Sequence, residues 1–316
     1  MHKEIVHHYI NNNSDVYACH RDASKAFDGL NYVKPFSELI KRKIPAIFLR
    51  YFMYSYTHRD IKCEWQGTFS SSFSASNGAP QGQVLSPIFF NCYLDILLEK
   101  LRKLGVGCYI GNHYVGCGAY ADDVQLLSPT VSGLQKMINV CEGFSKEYCL
   151  KFNEKKTVCV KYSKKVEPCN KPITLNGKLL SWDTKVKHLG NYITCNLDEV
   201  KEINAKKGSF ISSMNRVIAK FSGAPFKIKC KIFQSFCTSF YGSQAWYLFS
   251  GHLDKLETCW NKGLRRLFNV YYTTHRFILH GLINQPGLKT QLLQRSHKAI
   301  MQYCYSLFIL MIYLIP

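Results

Sequence analysis

Acidic residues are scarce in this chain of 316 residues, where 21 Asp and Glu stand against 41 Lys and Arg and leave a net charge of +20. The imbalance is concentrated after residue 200, where 16 basic residues face 3 acidic ones, a net charge of +13. Each phosphate that a protein neutralises releases condensed counterions, so this balance favours a polyanionic partner. Ribosomal proteins and basic proteins of membrane surfaces share the same balance, so charge alone does not fix the function.

The sequence also lacks a long apolar run. Its start has no basic, apolar and small-residue succession of the kind that marks a secretory signal. The apolar run at residues 307–315 is far shorter than the roughly 20 residues needed to cross a bilayer. We therefore expect a buried terminal segment or a non-native end, no membrane partner, and an intracellular protein.

None of the 14 cysteines is arranged as Cys-x-x-Cys. Cys141, Cys149, Cys159 and Cys169 lie too far apart for a zinc site and lack histidines at ligand spacing. The pattern predicts reduced, mostly buried thiols that behave as small apolar residues.

The order of apolar and polar residues predicts an α+β region followed by a helical one. Strands are expected at residues 14–22, 114–127 (two strands about a tight turn), 157–162 and 187–194, and helices at 34–56, 84–104 and 131–149. Beyond residue 199 the pattern is helical and basic. We place the domain boundary after residue 198, giving domains 1–198 and 199–316.

Three segments of the first domain contain acidic or glycine-rich elements that suggest a chemical role. They read DASKAFD at 22–28, NGAPQGQVLSP at 77–87 and YADD at 120–123. Taken singly, Asp122 and Asp123 form an ordinary solvated turn, and Asp22 is an ordinary turn or cap residue. Together they place one strand-end aspartate beside a pair at a hairpin tip. Carboxylates from separate elements that converge in this way suit phosphoryl transfer with two metal ions.

All three segments, in this order, resemble the motifs of reverse transcriptases, and specifically those of non-long-terminal-repeat (LINE-type) retrotransposons. The similarity continues through NEKKT at 153–157 and HLGNYI at 188–193, and more loosely through residues 260–266. The resemblance implies a polymerase palm, an antiparallel sheet backed by helices, followed by a mainly helical, thumb-like domain. It also implies RNA-directed DNA polymerase activity with an RNA template, a DNA primer and deoxynucleoside triphosphates. The expected setting is a ribonucleoprotein of nucleus and cytoplasm.

The resemblance assigns roles to individual residues. Asp22 and Asp122 would ligate two Mg²⁺ ions, for which Mn²⁺ is able to substitute, and Asp123 would complete the carboxylate cluster. Phe27 would pack against the sugar and exclude a 2′-hydroxyl. The remaining assignments are Gln81 and Gly82 at the nucleotide and template side, Lys156 at the leaving pyrophosphate and Lys25 at the triphosphate. Two of these residues have a plainer reading: Phe27 as a core aromatic, and Lys156 as part of a solvated basic face.

Phe27 also separates two related polymerase families. RNA-dependent RNA polymerases need an aspartate five residues after the first metal ligand to read the 2′-hydroxyl, and here that position is Phe27, with Asp28 one step further on. An aromatic residue there favours deoxynucleotides, so we expect DNA synthesis.

Two features depart from the family's pattern. Arg21 stands where an aliphatic residue is usual, and a buried unpaired guanidinium costs several kcal/mol. From the short stretch before Asp22 we expect little room for a fingers region that grips the triphosphate. Two hypotheses therefore stand: an RNA-directed DNA polymerase domain, and a catalytically inactive, nucleic-acid-binding remnant of such an element.

Overall fold

A computed structural model describes residues 2–22, 33–74, 78, 82–83, 85–148, 150, 152–154, 156–165, 167–246 and 251–314 of the chain. The chain divides into two compact units: residues 1–189 with 194–197, and residues 190–193 with 198–316. The boundary expected after residue 198 lies in this region. The assignment of its two sides to palm and thumb stays a prediction.

The first unit alternates short strands with helices. Its elements are α1 His2–Asn11, β1 Val16–Asp22, α2 Val33–Lys41, α3 Ala46–Thr57, β2 Asp60–Ile61, β3 Glu64–Trp65, β4 Thr68–Phe69, β5 Phe73–Ser74, α4 Ser86–Lys103, β6 Tyr109–Ile110, β7 His113–Tyr114, β8 Cys117–Tyr120, β9 Asp123–Ser128, α5 Val131–Tyr148, β10 Val158–Tyr162, β11 Thr174–Leu175, β12 Lys178–Leu179, β13 Trp182–Asp183 and β14 Lys185–His188. Strand β15 Asn191–Thr194 follows at the division between the units.

Five strands form the central sheet in the order β13-β10-β1-β9-β8. Strand β1 lies in the middle and pairs antiparallel with both β9 and β10, while β13 joins β10 in parallel. Helices α4 and α5 cover one face, where residues such as Leu97 and Met137 pack against Cys19 and Leu126 of the strands. The predicted antiparallel sheet backed by helices is confirmed, with one parallel edge strand added.

The single helix predicted over residues 34–56 is wrong, because the chain forms α2 and α3 with a break between them. Lys43 follows α2 with a φ of 58°, and Pro45 precedes α3 with a ψ of 136°. A residue before proline is biased away from the helical region, so Ile44 favours a break in the helix here. The strand predicted over 187–194 is likewise two strands, β14 and β15, separated by Leu189 at a φ of 48°.

The second unit is helical. Its elements are α6 Val200–Phe221, α7 Phe226–Phe236, a 3₁₀ turn Ser243–Ala245, α8 His252–Phe268, α9 Arg276–Ile283 and α10 Leu288–Leu314. Trp260 of α8 is fully buried at its centre, with ring centroids 4.8 Å from Phe233, 5.5 Å from Phe210 and 5.9 Å from Phe240. Aromatic contacts at such distances add about 0.5–1.5 kcal/mol each to the burial of apolar area.

The twelve described cysteines are all free thiols. Six are buried, five are partly buried, and Cys63 is exposed. In the described part of the chain, the helices are too short or too polar to cross a membrane.

Helix α1 packs on the face of the sheet opposite α4 and α5, and it brings three imidazole rings together. His2 lies 5.4 Å from the ring of His20 and 6.5 Å from that of His188, and the rings of His20 and His188 are 5.1 Å apart. The His2 ring also contacts the hydroxyl of Tyr162 at 3.2 Å and the amide of Gln125. Burial lowers the pKa of His2 to about 3, with a further lowering by His188, and burial lowers the pKa of His20 and His188 as well. These rings are therefore neutral near pH 7.

Arg21 points to the other face of the sheet, the one that α4 and α5 cover. Its side chain is buried, and its guanidinium carbon lies 3.8 Å from the centre of the Phe152 ring. Within the described residues, none of its three nitrogens has a hydrogen-bond acceptor. The thiol of nearby Cys141 does not neutralise it, because burial raises the pKa of Cys141 to about 11 even though the Arg21 charge acts against that rise. A cation–π contact contributes about 2 kcal/mol, less than the several kcal/mol that burying an unpaired ion costs.

We predict that Arg21→Met stabilises the protein by about 1–3 kcal/mol, because methionine keeps the contact with Phe152 and removes the buried charge. Urea denaturation of the two proteins measures the difference in the free energy of unfolding. Arg42→Met is the matched control, since Arg42 is exposed and forms an ion pair with Asp95, and we expect it to change stability by less than about 1 kcal/mol. A loss of stability in Arg21→Met would mean that the guanidinium has an anionic partner.

A second prediction concerns acid stability. The pKa of His2 is lower in the folded than in the unfolded protein, so the unfolded state takes up protons that the folded state does not below pH of about 6.5. The stability is present above that pH and is lost as the pH falls, by up to about 1.4 kcal/mol per pH unit for each buried histidine. His2→Phe should flatten this dependence between pH values of about 7.5 and 5.5, measured by urea denaturation. His7→Phe, on the exposed side of the same helix, should leave it unchanged; equal slopes in all three proteins would contradict the assignment.

Candidate active site

The hairpin of β8 and β9 ends in a two-residue turn. Tyr120 pairs with Asp123, which leaves Ala121 and Asp122 between the strands. Ala121 has a φ of 50°, and a side chain bearing Cβ in this left-handed region costs on the order of 1 kcal/mol. Backbone strain of this kind persists where the surrounding structure fixes it. The turn therefore holds Asp122 at the tip of the hairpin.

The register of β1 against β9 brings the first aspartate to the same place. Asp22 is the last residue of β1 and lies opposite Asp123. Directly opposed residues of antiparallel strands have α-carbons about 4.5–5.5 Å apart. Asp122 and Asp123 are partly exposed. The backbone thus gathers the three aspartates at one end of the central sheet; that their carboxylates converge stays a prediction, since the Asp22 side chain lies outside the described residues.

Lys156 lies at the same end of the sheet. His20 of β1 pairs with Val158, the first residue of β10, in an antiparallel ladder. Asp22 follows His20 by two residues and Lys156 precedes Val158 by two, so both lie just where this ladder ends. The Lys156 residue is exposed.

The other predicted site residues are placed less fully. Gly82 is exposed with a φ of 90°, and a Cβ built on it would meet no atom within 4 Å. Glycine at this position therefore serves the backbone conformation and leaves the backbone open to approach. Lys25, Phe27 and Gln81 lie outside the described residues.

The donor types at the sheet end fit a divalent cation. Carboxylate oxygens are the ligands that Mg²⁺ prefers, and two aspartates at a tip opposite a third supply them from two elements. Among the described side chains, which leave out that of Asp22, no group of three or more His, Cys, Asp or Glu residues is close enough to hold a metal ion.

Sequence reasoning did not find the histidines behind this site. His20 precedes Asp22 by two residues, is buried, and contacts the rings of His2 and His188. Its position in a strand gives no local signal, because the two partner rings come from the first helix and the last strand wholly within the unit. Only the tertiary structure brings them together.

Comparison with known proteins places these features in a family. Residues 2–193 match the family model described as "Reverse transcriptase (RNA-dependent DNA polymerase)". Members of this family generally use divalent metal ions.

The curated relatives are proteins of mobile elements. The chain is 33% identical over 144 residues to the retrovirus-related Pol polyprotein from type-2 retrotransposable element R2DM of Drosophila melanogaster, a match that covers 46% of this chain and 14% of that protein. It is 30% identical over 141 residues to the Pol polyprotein of the R2 element of Nasonia vitripennis, covering 45% of this chain and 14% of that protein. A longer match, 21% identical over 296 residues, is to the probable RNA-directed DNA polymerase from transposon BS of Drosophila melanogaster and covers 88% of this chain and 32% of that protein. The chain therefore spans only a small part of the curated relatives that it matches.

Among solved structures, telomerase from Candida tropicalis in complex with the TWJ fragment of telomeric RNA covers 89% of this chain and 50% of that chain, with 12% identity and a TM-score of 0.47. The family match runs over more than half of the chain and includes all three aspartates. This protein belongs to the reverse transcriptase family, and its curated relatives are those of non-long-terminal-repeat retrotransposons.

Proposed function

We propose that this chain is the polymerase core of a retrotransposon reverse transcriptase, which adds deoxynucleotides to a DNA primer on an RNA template. One observation carries the proposal: Asp22 lies opposite Asp123, beside a strained turn that presents Asp122. Three carboxylates at one sheet end repel one another, and bound cations offset that repulsion. We place the working protein in a ribonucleoprotein of nucleus and cytoplasm.

The aspartates would hold two Mg²⁺ ions, or Mn²⁺ in their place. When bound, such ions lower the pKa of an attacking hydroxyl and neutralise a leaving pyrophosphate. The 3′-hydroxyl of the primer attacks the α-phosphorus of the incoming triphosphate, one phosphodiester bond forms, and pyrophosphate leaves. Lys156, at the same sheet end, is suited to give a proton to that pyrophosphate.

The remaining residues select and orient the nucleotide. Phe27 excludes a 2′-hydroxyl by shape, and Gln81 and Gly82 line the nucleotide and template side. The φ of 90° at Gly82 supports this role, since it leaves an exposed backbone segment that a nucleotide is able to approach closely. Lys25 contacts the triphosphate.

A second candidate function is an inactive remnant that binds nucleic acid without polymerising. Buried Arg21, with no hydrogen-bond acceptor among the described residues, directly precedes Asp22 and favours this alternative. A buried guanidinium without a counter-charge costs free energy in the strand that positions the first metal ligand. Primer extension on poly(rA)/oligo(dT) with Mg²⁺, alongside RNA binding, separates the two: binding without extension selects the remnant.

Asp122→Asn should reduce primer extension by about a thousandfold or more, because one neutral ligand weakens the site that holds both ions. Binding of the primer–template, measured without divalent ions, should be unchanged. Asp60→Asn removes an exposed carboxylate from the same unit and should leave extension intact. Extension by Asp122→Asn at the rate of the unaltered chain would refute the catalytic role of the hairpin.

Phe27→Val should admit ribonucleotides while sparing use of deoxynucleotides. Removing a flat ring relaxes a steric exclusion that is typically worth about 1–3 kcal/mol. The measurement is the ratio of kcat/KM for a ribonucleotide and its deoxynucleotide in single-nucleotide addition. If that ratio is the same in both proteins, Phe27 is a core residue without a role in sugar selection.

A further inference from the structure

The second unit contains a cavity that the catalytic assignment does not use. Its volume is about 550 Å³, and it lies between the end of α7 with the loop that follows and one face of α10. Helix α10 contributes Arg295, Lys298 and Gln302, whose spacing places them on one side of the helix. The facing wall includes Ser235, Ser239 and Tyr241, three residues that carry hydroxyl groups.

Arg295 is the most informative lining residue. It is partly buried, and its Nη2 donates a hydrogen bond to the carbonyl of Thr238 at 2.9 Å, which fixes the guanidinium at the cavity wall. Burial lowers its pKa. In the part of the chain that the structure describes, neither Arg295 nor Lys298 forms an ion pair, and no acidic residue lines the cavity. A partly desolvated cation without a counter-charge is unfavourable, so an anion in the cavity would offset the cost.

The lining specifies the kind of anion. A guanidinium fork and a neighbouring ammonium are the groups that bind phosphate oxygens, and hydroxyl groups add further donors. The volume falls within the range of about 300–1,000 Å³ typical of small-molecule sites, so it exceeds what a bare phosphate ion needs. Tyr241 is 58% exposed, and an exposed ring beside a basic site suits the stacking of a nucleobase.

We propose that this cavity binds a backbone phosphate of a polynucleotide, with its nucleoside lying against Tyr241. The surrounding chain supports a polyanionic partner, since residues 201–316 carry a net charge of +13. The choice of a polynucleotide rests on the proposed polymerase function, whereas the phosphate chemistry rests on the cavity itself. The residues that line the cavity belong to the second unit, and the three aspartates belong to the first.

The test compares two variants that each remove two positive charges from the second unit of the full chain. Arg295→Gln/Lys298→Gln empties the cavity of cations. Lys262→Gln/Arg276→Gln removes exposed cations elsewhere in that unit. Anisotropy of a fluorescent single-stranded RNA, read without divalent ions, should show affinity about tenfold weaker for the cavity variant than for the control. For the cavity variant, the slope of log K against log salt should be shallower by about 0.7, since the loss of one contact to a single-stranded phosphate removes about 0.7.

Arg295→Lys keeps the charge and loses the planar fork, so it should also weaken RNA binding. This single variant provides the test if the double variant does not fold. Equal losses in the cavity and control variants, or unchanged affinity in Arg295→Lys, would overturn the proposal. If orthophosphate is instead the only ligand of the cavity, it would raise the thermal midpoint of the unaltered chain but not of the cavity variants, and RNA affinity would be equal in all proteins. That result would identify a free-phosphate site and would also overturn the proposal. Failure of primer extension with Arg295-dependent RNA binding intact would count against the polymerase function and leave this site standing.

Discussion

The pairing of β1 with β9 is the constraint on which the proposed chemistry depends. Antiparallel register fixes which residues lie opposite one another, and a slip of one residue moves every side chain to the other face of the sheet. Such a slip would carry Asp22 away from Asp123 and would also exchange the environments of His20 and Arg21. The short turn at Ala121 and Asp122 fixes the register of the neighbouring pair of strands, β8 and β9.

The central strand is unusual in holding polar side chains on both of its buried faces. His20 lies under α1 among other imidazoles, and Arg21 lies under the helices against Phe152. The two groups meet burial differently, because an imidazole is able to become neutral and a guanidinium is not. The buried imidazoles therefore lower the stability of the folded protein only in acid, whereas the buried guanidinium of Arg21 lowers it at every pH.

Much of this arrangement could be predicted from the sequence where the signal was local. Ser86 and Pro87 mark the start of α4, and the YADD run between apolar segments gave the hairpin. The break at Pro45 was missed because the apolar spacing of α2 and α3 continues across it. The Arg21 environment, the histidine contacts and the cavity at Arg295 depend on residues distant in sequence, so no local pattern contains them. The positions of Phe27 and Gln81 rest on the family resemblance alone.

Three thiols lie between the sheet and the helices that cover it. Cys19 and Cys159 lie opposite each other on neighbouring strands, Cys141 lies on the helix above them, and all three are fully buried. A reagent that alkylates thiols reaches them only when the helices lift from the sheet, so the rate of modification reports the free energy of that opening. Modification of these three thiols therefore measures how often the helix layer opens away from the sheet that carries the aspartates.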